Sequence, residues 1–375
     1  MQGAALAYFG VVTVTSLRIP YALLAGAIVL VLLWPPDFVR RAVNILTAYR
    51  ILPALPVLAL AALGFALHPY TRRVAHPSTG PDAMIVPVLR LLHGVQPYAA
   101  PLWDGALISP GPGWLLLNAP LSATGLIVLL SPSWLWLAAA LLASRDAFAA
   151  TLFVGALFAS RDFLVQSIVG HDIFAVNLAV TALCLLVPNC IGHRTRLVYV
   201  TVLTGLVATA RLPLVLLIPV FGLGLARREW RTGVTFTAVA LSVAASTHIA
   251  FAIWAARDGI FYQPLHVFAR ARNGAGPVFM VLSAAGGAAA CLAIVRSVQC
   301  DPARLMLCCW LLEFGLFAPI GLGELVRANR FDVTLWEGRN YVAWSLPLLC
   351  GYLALQAAGR HKDRLQVMDA TPLQP

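Results

Sequence analysis

The sequence predicts an all-α fold, a polytopic bundle of transmembrane helices, from its composition and its hydropathy pattern. Of its 375 residues, 60% are hydrophobic and only 11% are charged, whereas about a quarter of the residues are charged in ordinary globular domains. The mean hydropathy is +0.84, and apolar runs recur from residue 19 to residue 359 with no long polar stretch between them. These observations exclude a soluble enzyme built around a single core and predict a chain that crosses a membrane repeatedly.

The apolar runs, taken in order, predict about nine to twelve spans. Each candidate span is an apolar run, and charged residues separate most runs from the next. The candidate spans lie at 17–34, 51–68, 112–130, 147–160, 172–189, 197–210, 212–226, 233–254, 276–295, 303–321 and 340–359. Segments 134–144, 147–160 and 197–210 are shorter than the roughly 20 residues that a spanning helix needs. We therefore expect 134–144 to be an interfacial or re-entrant piece.

The basic residues have the distribution expected of cytoplasmic loops. The chain holds 26 Lys and Arg against 15 Asp and Glu, a formal net charge of +11. In a soluble protein this excess would suggest nucleic-acid binding, but here the basic residues cluster in short runs between apolar segments, as the positive-inside rule describes. The runs lie at 40–41, 194–196, 227–231 and 360–362. The charge pattern thus indicates orientation in a membrane, with no nucleic-acid partner.

This orientation divides the chain into three parts. Residues 1–50 form an N-terminal membrane segment with a cytoplasmic basic loop, residues 51–359 form the transmembrane core, and residues 360–375 form a cytoplasmic tail. The loops predicted to be external lie at 69–111, 255–275 and 322–339. Loop 255–275 is basic, which opposes the positive-inside rule unless its arginines have a function outside.

The external loop 69–111 is far longer than an ordinary connection, and long ordered loops are usually functional. Asp82 follows a Gly-Pro pair and precedes apolar residues at near-helical spacing, so it is predicted to be the N-cap of a short interfacial helix. A carboxylate at a membrane boundary is also suited to act as a general base on a hydroxyl. The residues leave both interpretations open, and Asp104 is the alternative base.

Charges within predicted spans are costly to bury, which makes Arg211 and Glu313 hypotheses for functional residues. Arg211 falls between two short apolar runs, where a broken helix would bring it to a cavity. Glu313 lies near the centre of a predicted span, and a buried structural pair, with Arg211 or with another helix, competes with a catalytic role. His171 and Asp172 open another predicted span, where they would cap a helix or contact substrate.

External arginines are the candidate ligands of a lipid phosphate, since a guanidinium can donate two parallel hydrogen bonds to phosphate. The two external loops nearest the C-terminus supply Arg270, Arg272, Arg327, Arg330 and Arg339. The alternative is that these side chains are solvated or bind lipid headgroups.

Several short motifs together resemble those of GT-C-type integral membrane glycosyltransferases, in particular the bacterial, mannosyltransferase-like branch that depends on polyprenyl-phosphate sugars. In the first external loop the similar positions are Asp82, 90–94, 96–98, 110–114 and Pro120. Downstream they are 170–172, 192–196, 210–213, 227–231 and 339–341. The resemblance extends over residues 50–359. The chain departs from it in one respect, because many members carry a paired acidic motif where Asp82 has no acidic neighbour.

The resemblance implies a multi-pass enzyme of the bacterial cytoplasmic membrane. It would move a mannose-like sugar, or another hexose or pentose, from a polyprenyl-phosphate donor to a lipid or glycan acceptor on the external face. Asp82 would be the catalytic base, with Asp104 as the alternative. The positions implied or proposed to contact substrate are Arg90, Tyr98, His171, Asp172, Arg211, Arg270, Arg272, Arg327, Arg330, Arg339 and Tyr341.

No cofactor is expected to be required. The sequence has no spacing typical of a metal site, no GxSxG motif and no GxxxxGK loop, and a divalent cation at the donor phosphate is not indicated. A multipass transporter or lipid flippase is the alternative function. Such a protein often shows two related halves with discontinuous helices, and the sequence shows no such internal symmetry. A non-catalytic relative of the enzymes is a third hypothesis.

Overall fold

The computed structural model describes residues 54–73, 79–327 and 344–370, and every regular element in these ranges is helical. The α-helices, numbered in chain order, are α1 (Ala54–Arg73), α2 (Thr79–Leu92), α3 (Pro112–Leu117), α4 (Ala119–Ala123), α5 (Leu130–Arg145), α6 (Ala147–Phe158), α7 (Arg161–Val169), α8 (Ile173–Leu186), α9 (Arg194–Ala208), α10 (Leu217–Ala226), α11 (Trp230–Arg257), α12 (His266–Ala275), α13 (Pro277–Ser297), α14 (Pro302–Arg327) and α15 (Leu346–Ala370). Short 3-10 segments lie at Ile127–Leu129, Val187–Cys190, Leu212–Leu216 and Gln263–Leu265. The predicted all-α class is confirmed for this part of the chain.

Five helices in the described ranges are long and apolar enough to cross a membrane. They are Ile127–Arg145, Ile173–Cys190, Trp230–Arg257, Pro277–Ser297 and Pro302–Arg327. The pair α6 and α7, bent by 81° at a short break, makes a sixth if it counts as one span. This number is below the nine to twelve predicted. Two shorter apolar segments, Ala54–Leu67 and Leu212–Ala226, match predicted spans, and the predicted span 17–34 lies outside the described residues.

Two of these helices expose most of their apolar surface. In the most apolar 18-residue window of α11, and in that of α13, only 17% of the residues are buried. Exposed side chains on them include Ile249, Ile253, Val281 and Leu292. Exposing such surface to water would be unfavourable, whereas lipid solvates it well. The chain is therefore a multi-pass membrane protein, as its composition predicts.

The other helices pack around α8, whose residues are almost all buried. It contacts α5 on one side and α15 and α14 on others, while α9 and α10 pack against α11. Because α8 is apolar all round except for Asn177 and Thr181, it forms the centre of the bundle. Its N-terminal end therefore lies among the ends of several other helices.

The structure corrects two predicted elements between residues 112 and 145. Segment 112–130 is not one span but the short helices α3 and α4, and Gly125, with φ of +75°, follows α4 in the left-handed conformation that glycine favours. Segment 134–144 is not an interfacial piece but part of the candidate span Ile127–Arg145. The preceding Pro132 lies in the first turn of α5, where a helix needs no backbone donor, so this proline does not end the helix.

The helix predicted after Asp82 is present as α2, but it begins at Thr79. Asp82 therefore lies in the first turn and is not the N-cap, so the capping prediction is wrong. A carboxylate in this turn still faces the positive end of the helix dipole. Met84 and Val88 are fully buried, and α2 packs against α4. The position of α2 at a membrane interface stays a prediction.

Candidate functional site

The motifs at 110–114 and 210–213 meet where the first loop, residues 93–111, enters the bundle. The backbone N–H of Trp114 donates to Thr209 Oγ1 at 2.8 Å. A Cβ on Gly111 would lie 1.9 Å from the Thr209 carbonyl oxygen, and one on Gly113 would lie 2.7 Å from Thr209 Oγ1. Glycine at both positions therefore lets this motif pack against the end of α9, just before Arg211.

Asp172 and Arg211 form a buried ion pair at this point. Arg211 Nη1 and Nη2 donate to Oδ2 and Oδ1 of Asp172 at 3.0 and 2.9 Å, and Trp114 Nε1 donates to Oδ2 at 3.2 Å. One carboxylate thus joins three motifs that are far apart in the sequence. The Asp172 side chain makes no capping bond to α8, so the capping hypothesis is wrong for this residue.

Electrostatics keep Asp172 ionised. Burial raises the pKa of its carboxyl, but the charge of Arg211, the neighbouring His171 imidazole and the hydrogen bonds from Arg211 outweigh burial and hold this pKa below its usual range. Arg211 remains 14% exposed. Among the described residues, its guanidinium donates twice to Asp172 and once to the Ala210 carbonyl oxygen. A guanidinium has five N–H groups, so two are left for an anion.

His171 connects this ion pair to α2. The backbone N–H of Ile173 donates to His171 Nδ1 at 3.2 Å, so His171, rather than Asp172, caps the first turn of α8. The imidazole lies directly against Gly80, because a Cβ there would be 2.0 Å from His171 Cδ2. The first turn of α2, with Asp82 two residues further on, is thereby held next to the ion pair.

Asp82 is the acidic side chain that α2 brings to this place. It is only 6% exposed, and its Oδ2 accepts a hydrogen bond from Trp103 Nε1 at 3.1 Å. Trp103 is 59% exposed, so a surface indole holds a buried carboxylate. Asp104, by contrast, is exposed and accepts from the N–H of Ala106 at 3.0 Å, which closes a turn.

We call Asp82, Trp114, His171, Asp172 and Arg211 the polar junction. It contains four of the positions predicted to be catalytic or to contact substrate, and the fifth, Trp114, belongs to a motif that the sequence singles out. Asp82 joins this group because it lies two residues after Gly80, which contacts His171, whereas Asp104 lies in an exposed turn.

Gln263 fastens the first loop to a second loop, residues 258–265. Its Nε2 donates to the Tyr98 carbonyl oxygen, and its Oε1 accepts from the N–H of Ile108, each at 2.7 Å. The Tyr98 hydroxyl donates to the Pro110 carbonyl oxygen at 2.9 Å, and its ring meets that of Tyr262 edge to face. Tyr98 is fully buried, so it organises the loop that positions Trp114.

The beginning of α12 places more positive charge near the polar junction. His266 Nε2 lies 3.5 Å from Ser109 Oγ of the first loop. Burial lowers the pKa of the His266 imidazole, a hydrogen bond to a backbone carbonyl opposes this effect, and the charges of Arg270 and Arg211 lower the pKa further. Arg270 on α12 and Arg211 thus each act electrostatically on the His266 imidazole.

The other predicted ligands are not brought to the junction. Arg90 donates to the carbonyl oxygens of Pro97 and Ala100 at 3.1 and 2.7 Å, which closes the turn after α2. Arg272 is exposed on α12, and Arg327 donates to a backbone carbonyl of the same helix. Three predicted positions, Arg330, Arg339 and Tyr341, lie outside the described residues.

Glu313 does not pair with Arg211, contrary to one of the two pairings considered. It is 1% exposed, and its Oε2 accepts from Asn177 Nδ2 at 2.7 Å. Asn177 Nδ2 also donates to the Trp344 carbonyl oxygen at 3.0 Å. The Trp344 ring lies 5.8 Å from Arg211 Cζ, so this indole connects Glu313 with the polar junction.

Several residues that build the site were not predicted. Thr209, Gln263, His266 and Asn177 have partners 95 to 167 residues away, and an isolated polar residue in an apolar run gives no signal of such a pairing. No three His, Cys, Asp or Glu side chains in the described ranges come together as they would to hold a metal ion.

In comparisons with known proteins, no family model, curated protein or solved structure matches the chain.

Proposed function

We propose that this protein is an integral membrane glycosyltransferase of a bacterial cytoplasmic membrane. It moves a mannose-like sugar, or another hexose or pentose, from a polyprenyl-phosphate donor to a lipid or glycan acceptor at the external face. The observation that carries the proposal is a buried carboxylate, Asp82, two residues after Gly80, which lies against His171 next to the Asp172–Arg211 pair. The transfer needs a base and a group that binds an anion, and the junction offers both.

In the proposed reaction, an acceptor hydroxyl oxygen attacks the anomeric carbon of the donor sugar and a new C–O bond forms. The bond from that carbon to the phosphate oxygen breaks, and polyprenyl phosphate leaves with the bonding electrons. Asp82 takes the proton of the hydroxyl as the oxygen attacks. The Trp103 N–H orients this carboxylate, and burial of the carboxylate keeps bulk water from competing with the acceptor.

The positive charges near the junction suit the leaving phosphate. Arg211 keeps two N–H groups for an anion, and Arg270 adds a second cation on α12. Asp172 neutralises one charge but also fixes the plane of the Arg211 guanidinium through two parallel bonds. A fixed guanidinium stabilises developing charge without reorganising during the reaction.

The membrane orientation predicted from basic residues agrees with an external site. The first loop, the second loop and the N-terminal end of α8 contact one another, and all three are predicted to lie on the outer side. Lipid-phosphate sugars presented at that surface would meet the junction without crossing the membrane.

The direct test measures transfer of labelled sugar from a panel of polyprenyl-phosphate sugars to membrane lipid extract by purified protein in lipid nanodiscs. We expect the wild type to transfer sugar and Asp82→Asn to lose at least about 100-fold in kcat, because the amide accepts the Trp103 hydrogen bond but cannot take a proton. Asp104→Asn is the matched control, since its carboxylate lies at an exposed turn, and we expect it to keep wild-type turnover.

Two outcomes would contradict the proposal. Unchanged transfer by Asp82→Asn would exclude Asp82 as the base. If Asp104→Asn alone lost transfer, Asp104 would be the base instead. No transfer by the wild type from any donor would overturn the transferase itself. Flux of a lipid-phosphate sugar across proteoliposomes would then test the transporter alternative.

A further inference from the structure

A second polar group lies deep in the bundle, apart from the acidic and basic side chains of the polar junction. Glu313 of α14 and Asn177 of α8 are both essentially inaccessible to solvent. Asn177 Nδ2 donates to Glu313 Oε2 at 2.7 Å and to the Trp344 carbonyl oxygen at 3.0 Å. Three segments of the chain thus meet at a single amide.

Two acceptors in this group have no partner in the described part of the protein. They are Glu313 Oε1 and Asn177 Oδ1, the second oxygen atoms of the two side chains that the 2.7 Å bond already joins. An unsatisfied buried polar atom costs about 1–3 kcal/mol. A single hydrogen shared between the two unsatisfied oxygens would remove this cost for both of them.

An ionised Glu313 carboxylate would also need a cation. Arg211, which the sequence suggested as a partner of Glu313, instead donates from both of its Nη groups to Asp172. In the described part of the chain, its titratable neighbours are thiols: Cys309 lies one turn earlier on α14, and Cys184 of α8 lies beside Cys309. Thiols bring no positive charge, and burying an unpaired carboxylate costs several kcal/mol.

We propose that Glu313 is a protonated carboxylic acid whose O–H donates to Asn177 Oδ1, so that acid and amide form a two-point pair. One proton then satisfies both unpartnered oxygens and removes the unpaired charge. This inference concerns the state of Glu313 and does not depend on the transferase activity.

The pair has a structural consequence for the polar junction. With its Oδ1 anchored, Asn177 holds the Trp344 carbonyl in a fixed place. The Trp344 ring stacks on Phe317 with centroids 5.2 Å apart, and the Arg211 Cζ lies 5.8 Å from the centroid of the Trp344 ring. Glu313 is therefore a positioning residue that acts on Arg211 through Asn177 and Trp344.

Infrared difference spectroscopy of the full chain in lipid nanodiscs at neutral pH tests the protonation. A protonated carboxyl has a C=O stretching band separate from that of a carboxylate, and the band shifts when H₂O is replaced by D₂O. We expect this band in the wild type and its loss in Glu313→Gln, whose amide can make the same two bonds. Glu229→Gln, at an exposed carboxylate, is the matched control and should leave the band unchanged.

Asn177→Val keeps the test decisive if Glu313→Gln does not fold. Removal of the amide should shift the Glu313 band to higher frequency, because its C=O and O–H lose their partners. A spectrum with no protonated-carboxyl band that responds to Glu313→Gln or Asn177→Val would overturn the proposal, since Glu313 would then be ionised.

The positioning role has its own test, which rests on the proposed transferase activity. We expect Glu313→Gln to keep kcat within about twofold and Glu313→Leu to lower it about tenfold or more with little change in KM, since small displacements of a catalytic group are costly. Equal turnover in both variants would overturn the positioning role, while the spectra would still decide the protonation. A large loss of kcat in both variants would mean that turnover requires the carboxyl group itself, and it would overturn the positioning role.

Discussion

At the residue scale, the polar junction depends on the Asp172–Arg211 pair. Removing one partner of a buried ion pair leaves the other charge uncompensated, at a cost of about 3–5 kcal/mol. We therefore expect Asp172→Asn to lower Tm strongly, and the double variant Asp172→Leu/Arg211→Leu to lower it less because no charge is left unpaired. Thermal unfolding in detergent micelles measures both, with Asp104→Asn as the exposed control. A Tm for Asp172→Asn equal to that of the wild type would show that the pair carries little stability.

The same pair gives stability a pH dependence of known sign. The pKa of Asp172 in the folded protein lies below that of an unfolded-chain carboxyl, about 3.9, so the pair contributes fully above that value. The contribution is lost as the pH falls from about 4 through the lower folded pKa. The Tm difference between wild type and Asp172→Asn should thus be constant from about pH 5 to pH 8 and narrow only below about pH 4. A difference that already narrows near neutral pH would contradict this assignment.

At the scale of the helix, α13 and α14 cross where two glycines face each other. A Cβ on Gly286 would lie 2.4 Å from the Gly315 carbonyl oxygen, and one on Gly315 would lie 2.7 Å from that of Gly286. Small residues let membrane helices approach closely and gain packing contacts. We expect Gly286→Ala to destabilise the protein by about 1–3 kcal/mol, because backbone must move to admit the methyl group.

Gly155 in α6 provides the matched control for this crossing. A Cβ there meets no atom within 4 Å, so Gly155→Ala should leave Tm unchanged or raise it slightly, since alanine favours a helix over glycine by about 1 kcal/mol. Thermal unfolding of the two variants side by side separates a packing effect from a general effect of helix propensity. Equal Tm values for Gly286→Ala and Gly155→Ala would show that the crossing tolerates a side chain.

Three of the predicted spans correspond closely to single helices. Segments 233–254 and 303–321 lie within α11 and α14, and segment 276–295 begins one residue before α13. The region from 112 to 145 could not be predicted, because Pro132 is compatible with the first turn of a helix and with the end of one. Hydropathy alone does not show whether a proline lies in the first turn of a helix or at the end of one.

At the scale of the whole molecule, sequence motifs indicate which residues matter but not which of them touch. The motifs include four residues of the polar junction: Asp82, His171, Asp172 and Arg211. The two partners of the ion pair, Asp172 and Arg211, are 39 residues apart, and the sequence is equally compatible with each of them capping a helix or pairing with another residue. The positions of Gln263 and His266 could not be predicted at all, because each becomes important only when two distant loops pack together. Charge and hydropathy determine on which side of the membrane a loop lies. Packing of the helices and loops then determines which polar residues contact each other.

The orientation of the whole bundle is the last prediction. α11 has 28 residues and so spans roughly 40 Å, which places Glu229 at its start far from the second loop and hence from Asp104 on the first. Both side chains are exposed and acidic. In a variant from which the native cysteines have been removed, we expect Asp104→Cys to react with a membrane-impermeant maleimide on intact cells. Glu229→Cys should react only after permeabilisation, because its loop is net basic and is predicted to be cytoplasmic. The reverse pattern would place the polar junction on the cytoplasmic side, where lipid-phosphate sugars presented outside could not reach Asp82.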